Sequence, residues 1–464
     1  MASLKTIFAG IASPNPFWLA SAPPTDKAYN VNRAFEAGWG GVVWKTLGED
    51  PAIVNVNGPR YGALLSSDRR LIGFNNIELI TDRPLELNLQ EIRQIKRDWP
   101  DRALVVSLMV PYSEQSWREM LSKVEDTGCD GVELNFGCPH GMNERGMGAA
   151  VGQVPEYIET ITTWCKAHSR LPVIVKLTPN ITDIRYAAEA AQRGGADAVS
   201  LINTLNSIMG VDPETLTMTP AIDGMGSHGG YCGPAVKPIA LNMVASIAGS
   251  ATTRSLPLSG IGGIATWRDA LDYIALGCGT VQVCTAAMFY GFKIVEDLID
   301  GLSNYMDSKQ LPNLESLRGR AVASVTQWQY LNLNSISKAA IDSSLCIGCG
   351  RCYAACEDTA HQAITNEVQG KRHFEVKEEE CVGCNLCVAV CPVPECITLR
   401  TLSAGETDLR TGLKASIHRA DWTSHANNPA KLMTGDSGAF EAKPSLAHVG
   451  HKDPEGLKTR GEIP

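Results

Sequence analysis

Nine of the fifteen cysteines fall within residues 346–396, and eight of these repeat one spacing. The runs are Cys346-x2-Cys349-x2-Cys352-x3-Cys356 and Cys381-x2-Cys384-x2-Cys387-x3-Cys391, the second followed by Pro392. Thiols three residues apart can wrap one face of a cuboidal iron–sulfur cluster, but they supply only three of its four ligands, so the fourth must come from the other run. The spacing therefore assigns one 4Fe-4S cluster to Cys346, Cys349, Cys352 and Cys391, and another to Cys381, Cys384, Cys387 and Cys356. Gly348, Gly350 and Gly383 suit tight turns around the sulfurs. Paired zinc sites compete with this reading, but they favour two CxxC pairs across a longer loop. The first run ends in Cys356-Glu357-Asp358 rather than Cys-Pro, and an acidic pair beside a cluster disfavours the added electron. Cys396 is left over and reads as a small buried thiol beside the second cluster.

The other six cysteines are scattered over the first 300 residues, so the chain is compositionally two-part. Its 464 residues allow a large domain with an appendage. Hydrophobic residues make up 44%, with no apolar stretch long enough for a membrane span. A net charge of −9 leaves no basic surplus for phosphate backbones, so nucleic acid is not an expected partner. The start, Met1 to Pro24, lacks the sustained apolar region and cleavage site of a leader, and a cytoplasmic protein is expected.

Before the cysteine runs, short β-branched apolar segments alternate with helical patterns. The expected strands are Phe17–Ser21, Gly41–Thr46, Ala103–Met109, Gly131–Phe136, Val173–Thr178, Ala198–Asn203, Leu256–Gly260 and Thr280–Thr285. Helical stretches include Ser113–Thr127, Pro155–His168, Thr182–Arg193, Val236–Ala248, Thr266–Ala275 and Gly291–Tyr305. Such alternation predicts an α/β fold, a (β/α)8 TIM barrel over 1–310, with a small bacterial-ferredoxin-like α+β domain at 341–402. Residues 311–340 read as a linker wrapping the barrel, and 403–464 as a polar extension ordered, if at all, against a second subunit.

In a barrel of this kind chemistry sits at the carboxyl ends of the strands. Here those ends are polar: Ser21, Lys45-Thr46, Asn135 to Cys138, Lys176 to Thr178, Asn203-Thr204, Gly260 to Gly263 and Cys284-Thr285. So many polar ends on one rim point to a bound polar ligand. Glycines after strand seven and free amides after strand eight form a phosphate grip. Flavin mononucleotide is the phosphorylated group that complements iron–sulfur clusters, since a flavin accepts single electrons and passes on a hydride. Gly260 to Ala265 and Gly224 to Gly229 match a loose dinucleotide pattern, but neither opens a βαβ unit with a later acidic strand end. Electrons are therefore expected from another protein.

Certain segments carry a family likeness: Leu19 to Ala22, Lys45-Thr46, Asn76 to Leu79, Asn135 to Gly141, Glu144 to Gly148, Lys176 to Asn180, Asn203-Thr204 and the two cysteine runs. Together they resemble the dihydropyrimidine dehydrogenases, specifically the FMN and iron–sulfur subunit of the bacterial two-subunit, NAD-dependent form, over residues 1 to about 402. The barrel half alone also resembles dihydroorotate dehydrogenases. The resemblance implies reversible reduction of the 5,6 double bond of uracil or thymine, with hydride passing between flavin N5 and C6. Protonating C5 needs a positioned acid, and Cys138 is the candidate, as a thiol. By the same resemblance Asn76, Glu78, Asn135, Asn203 and Thr204 contact the pyrimidine. Flavin positions match Ala20, Ser21, Lys45, Thr46, Asn135, Lys176, Asn203, Gly262, Gly263, Cys284 and Thr285. Lys45 and Lys176 suit the reduced flavin anion, with an ion pair in the barrel mouth as the plainer alternative. His140 and His228 carry no assigned role.

The implied partner is an NAD(P)H-oxidising, FAD-binding iron–sulfur subunit, in a heterotetramer built on a homodimer, without membrane. Two other readings remain: a dihydroorotate-type or other cyclic-amide dehydrogenase with fused clusters, and a non-catalytic flavin and iron–sulfur electron carrier.

Overall fold

The computed structural model describes residues 2–49, 55–139, 146–368, 370–425 and 427–428. Each expected apolar run forms a strand of one closed barrel: Phe17–Leu19, Gly41–Leu47, Ala103–Leu108, Gly131–Asn135, Val173–Lys176, Ala198–Leu201, Leu258–Ile261 and Cys278–Val283. Neighbours in sequence pair in parallel, and the last strand closes on the first through Val281 and Phe17. Strand alternation sends every second side chain inward. Toward the amino ends, the inner chains Trp18, Val43, Val105, Ile174 and Ala198 pack with Phe8 and Ile11, from the hairpin Thr6–Phe8 and Ile11–Ser13, into an apolar plug. Two residues further along the same strands stand Lys45, Ser107, Lys176 and Ser200. The period that fills the floor thus makes the mouth polar.

The outward-facing side chains, among them Val42, Trp44, Val106, Leu134 and Val175, meet the apolar stripes of the surrounding helices through Phe35, Ile92, Leu121 and Ile161. Local signals start these helices where expected. Ser113 caps Glu114–Glu125 by accepting from Ser116 N–H at 3.3 Å. Thr266 and Asp269 form a capping box for Trp267–Ala275, and Pro155 opens Pro155–His168. The expected helix Gly291–Tyr305 differs. A short helix, Thr285–Tyr290, stops at Gly291, whose φ of +82° ends it, and Ile294–Ser308 follows.

An unexpected element stands over the mouth. Tyr61–Leu65, Leu71–Asn76, Gly229–Cys232 and Leu205–Ser207 form a four-stranded antiparallel sheet in which Asn76 is paired with both Tyr61 and Gly230. Gly230 permits the approach, because a Cβ there would lie 2.1 Å from Thr204 Oγ1.

The described residues divide into two compact units at Val325 and Thr326, inside the segment expected to link them. Leu311–Val325 returns along the barrel unit, with Gly319 and Ala321 N–H donating to the carbonyls of Ile274 and Ala275. In the second unit Ser337–Ile341 pairs antiparallel with Ile397–Thr401, and Ile364–Val368 forms a hairpin with Lys371–Val376. Half of its small core is cysteine: Cys352, Cys356, Cys381, Cys387 and Cys396 pack with Ala339, Ala363, Ile364, Phe374 and Ile397. The extension is tied to this unit where Leu333 N–H donates to Ala420 O, and residues 405–415 turn back on themselves. From residue 429 onward it lies outside the described residues. No described helix is long and apolar enough to cross a membrane.

Candidate active site

A cleft of about 1310 Å³ of empty space, its open mouth included, lies at the carboxyl ends of the barrel strands. Every expected substrate, flavin and catalytic residue lines it: Ala20, Ser21, Lys45, Thr46, Asn76, Glu78, Asn135, Cys138, Lys176, Asn203, Thr204, Gly262, Gly263, Cys284 and Thr285. Of the neighbouring residues in the same segments, His140, Gly141, Glu144 and Arg145 fall outside the described residues, and His228 is exposed.

A row of hydrogen bonds crosses the mouth. Asn203 Nδ2 donates to Asn135 Oδ1 at 3.0 Å, and Asn135 Nδ2 donates to Thr46 Oγ1 at 3.0 Å. Thr46 in turn bonds Ser107 at 2.9 Å and Ser21 at 3.1 Å. Thr204 N–H donates to Asn203 Oδ1 at 2.8 Å, so both amides are held in one orientation. Asn76 belongs to the overlying sheet and donates to Gly230 O at 3.0 Å.

Both lysines are buried and paired. Lys45 Nζ lies 2.5 Å from Glu78 Oε1, while Arg60 and Tyr61 reach Glu78 Oε2 at 3.0 and 3.2 Å. Burial disfavours the Glu78 carboxylate, but the Lys45 and Arg60 cations outweigh it and hold the carboxyl below its usual range. Burial and that carboxylate push the Tyr61 hydroxyl up. Lys176 Nζ stands 3.5 Å from Glu133 Oε1, on a fully buried carboxylate whose other oxygen accepts from Ser200 Oγ at 2.8 Å and Gln282 Nε2 at 3.3 Å.

Cys138 follows the fourth strand and is 8% exposed. It packs with Ile80, Met109 and Met147 in an apolar corner. Gly148 presses on it: a Cβ there would lie 2.9 Å from Cys138 O. Two more thiols line the wall. Burial pushes Cys232 up to about 11 and Cys284 up to about 12, and Thr285 Oγ1 donates to Cys232 Sγ at 3.3 Å.

The donor set fits a planar, phosphorylated flavin. Gly262 and Gly263, at φ +130° and +69°, turn the backbone at the end of strand seven, and no side chain caps the helix Thr285–Tyr290, whose first turn also lines the cleft. Tyr61, Phe74, Tyr231, Cys232 and Gln282 were not legible as site residues. Most of them ride on the overlying sheet, where Tyr61 stacks on Phe74 with ring centroids 5.3 Å apart. The only local hint was the polar pair Asn75-Asn76 ending an apolar run.

In the second unit the eight cysteines of the doubled run separate into two cavities. Cys346, Cys349, Cys352 and Cys391 line one; Cys356, Cys381, Cys384 and Cys387 line the other. Four thiols ringing each cavity suit a cuboidal body. One placement needs correction. Cys396 is buried as expected, but it lines the cavity of Cys346, Cys349, Cys352 and Cys391, because Cys391 crosses to that site and carries the following turn with it.

Residues 3–306 match the family model described as dihydroorotate dehydrogenase, and residues 339–399 match that of a 4Fe-4S dicluster domain. The chain is 42% identical over 361 residues to the NAD-dependent dihydropyrimidine dehydrogenase subunit PreA of Escherichia coli, covering 78% of this chain and 87% of the relative. It is 42% identical over 328 residues to the chloroplastic dihydropyrimidine dehydrogenase (NADP(+)) of Arabidopsis thaliana, covering 69% and 77% respectively. Ligand-free DHODH from Eimeria tenella shares the fold, with a TM-score of 0.57, 21% identity, and coverage of 69% of this chain and 92% of that one.

Proposed function

Since the chain belongs to the dihydroorotate dehydrogenase family and is related over most of its length to dihydropyrimidine dehydrogenase subunits, we propose that it is the catalytic subunit of a cytoplasmic dihydropyrimidine dehydrogenase, reversibly reducing uracil or thymine. FMN held in the cleft would supply hydride exchange with C6 of the ring, and two 4Fe-4S clusters would carry electrons to it from an NAD(P)H-oxidising FAD partner subunit in a heterotetramer. Cys138 delivers a proton from Sγ to C5. Asn76, Asn135, Asn203 and Thr204 offer acceptors and donors to the alternating carbonyl and N–H groups of the ring. Lys45 and Lys176 would stabilise the negative charge of the reduced flavin, while Gly262, Gly263 and the amides after Cys284 would hold its phosphate. Tyr61, Phe74 and Tyr231 line the cleft from the overlying sheet.

The observation that carries this reading is the convergence of Cys138, the three asparagines and both lysines on one cleft. Charge balance favours a neutral pyrimidine over orotate. Among the described lining residues both lysines already face carboxylates, and Glu78 would repel a substrate carboxylate.

The test is an anaerobic single turnover of the dithionite-reduced chain, with flavin and iron counted. Flavin reoxidation by uracil with formation of dihydrouracil is expected, with no NADH oxidation until the partner is added. Reoxidation by orotate but not uracil would move the substrate to the dihydroorotate class.

A further inference from the structure

Outside the cleft, the most deeply buried cation among the described residues of the second unit is Lys338, 1% exposed. Its ammonium has three N–H donors, and each has an acceptor: Glu378 O at 2.9 Å, Cys381 O at 2.6 Å and Asp408 Oδ1 at 2.5 Å. Asp408 is 3% exposed and lies beyond the residues that match the dicluster model. The turn it begins holds it there: Thr411 Oγ1 donates to Oδ2 at 2.6 Å, Arg410 N–H donates to Oδ1 at 3.2 Å, and Asp408 N–H donates to Leu413 O. The strand bearing Lys338 also touches the cysteine loop itself. Ala339 N–H points at Cys381 Sγ at 3.5 Å, and a Cβ on Gly383 would lie 2.3 Å from Ser337 O.

A buried, fully bonded ion pair is a costly way to fasten a turn, since apolar side chains of the same volume serve as well. What they cannot supply is a fixed dipole whose positive end, the ammonium bonded to Cys381 O, stands nearest the ligand loop. The thiolate-bound cluster becomes more negative by one unit when reduced, so a cation in a low-dielectric setting beside a ligand loop favours the added electron. The acidic Glu357 and Asp358 follow Cys356 of the same cavity, but Asp358 is exposed and Glu357 is half-buried, so solvent screens them more than it screens Lys338.

We propose that Lys338, clasped by Asp408 of the segment after the domain, is a positioning residue that raises the midpoint potential of the cluster held by Cys356, Cys381, Cys384 and Cys387. This rests on the two-cluster reading above. It gives the start of the extension a function: it closes over the cation and fixes its distance from the ligand loop.

The test is an anaerobic redox titration of the full-length, iron-counted protein, followed by electron paramagnetic resonance. In Lys338→Met one of two cluster signals shifts to lower potential by at least a tenfold change in its oxidised-to-reduced ratio, about 59 mV for one electron, while the other signal stays. In Asp408→Asn, which leaves the ammonium without its counter-charge, the same signal shifts upward. Lys338→Arg returns it toward the wild-type value. Should Lys338→Met fail to hold its iron, Asp408→Asn decides alone. Unchanged potentials, shifts of the same sign in Lys338→Met and Asp408→Asn, or loss of the same cluster from both would reduce the pair to a structural fastening and overturn the proposal. Wild-type protein that binds no clusters when reconstituted would instead remove the reading on which it rests.

Discussion

Cys138 sits in an apolar corner of the cleft with Ile80, Met109 and Met147. The proposed role asks its thiol to hold the proton until C5 of the ring accepts it, as a general acid must. Cys138→Ala is expected to lower the rate of pyrimidine reduction about 10³-fold, within the usual range for a general acid, with flavin and iron contents unchanged. Stopped-flow reoxidation by uracil checks it; a variant that reoxidises at the wild-type rate would assign the proton to another group. Glu78 is the second residue whose chemistry follows from its neighbours. Removing its charge by Glu78→Gln leaves Lys45 buried beside a neutral amide, which costs about 3 kcal/mol for a pair of this burial. Because the folded-state pKa of Glu78 is lowered, its contribution is complete above the ordinary glutamate range of about 4.3 and is lost as pH falls through the depressed value. Thermal melts of wild type and Glu78→Gln should therefore differ most near neutral pH and converge in acid.

At the scale of elements, the site depends on close backbone contacts as much as on side chains. Gly148 has φ +58° and ψ −130°, a conformation open in practice to glycine alone, and it sits directly behind Cys138. Gly148→Ala should displace the Cys138 carbonyl and lower turnover with little change in the barrel, readable as a kcat loss with a near-native melting temperature. A shift of the barrel transition instead would make Gly148 a folding residue. Gly152→Ala is the harsher neighbour, since its Cβ would meet Phe136 O at 1.8 Å and must displace either the short helix Ala149–Gly152 or the end of the fourth strand.

Across the whole molecule the two units have different sources of stability. The barrel rests on a large aliphatic and aromatic core, whereas five of the ten residues in the main packed cluster of the second unit are cysteine. So few apolar side chains among the described residues offset little of the ordering entropy of a domain this small, so bound clusters would contribute folding energy directly. Stripping iron with acid and chelator should abolish one unfolding transition in calorimetry and leave the barrel transition nearly in place. Two undisturbed transitions after iron removal would show that the second unit folds without its clusters.

Much of this was legible in the chain itself. Strand and helix periods, the helical stretches starting at Ser113 and Thr266, and the polar residues ending most strands are local properties, and a closed parallel barrel gathers its strand ends at one mouth whatever the details. The expectation that Cys356 and Cys391 cross over came from a cube needing a ligand that three closely spaced thiols cannot provide, and the two cavities group the cysteines in the same way. Other features depended on contacts between distant segments. Tyr61, Phe74 and Tyr231 reach the cleft through a sheet joining residues 61–76 to 205–232, whose register follows from packing of Gly230 on Thr204. Glu78 was foreseen as a ligand contact, yet its binding to Lys45, Arg60 and Tyr61 needed three separate segments in place. Lys338 and Asp408 read in sequence as one strand lysine and one tail aspartate. Only burial, which removes water as the competing partner, makes them a pair, and burial is a property of the folded chain.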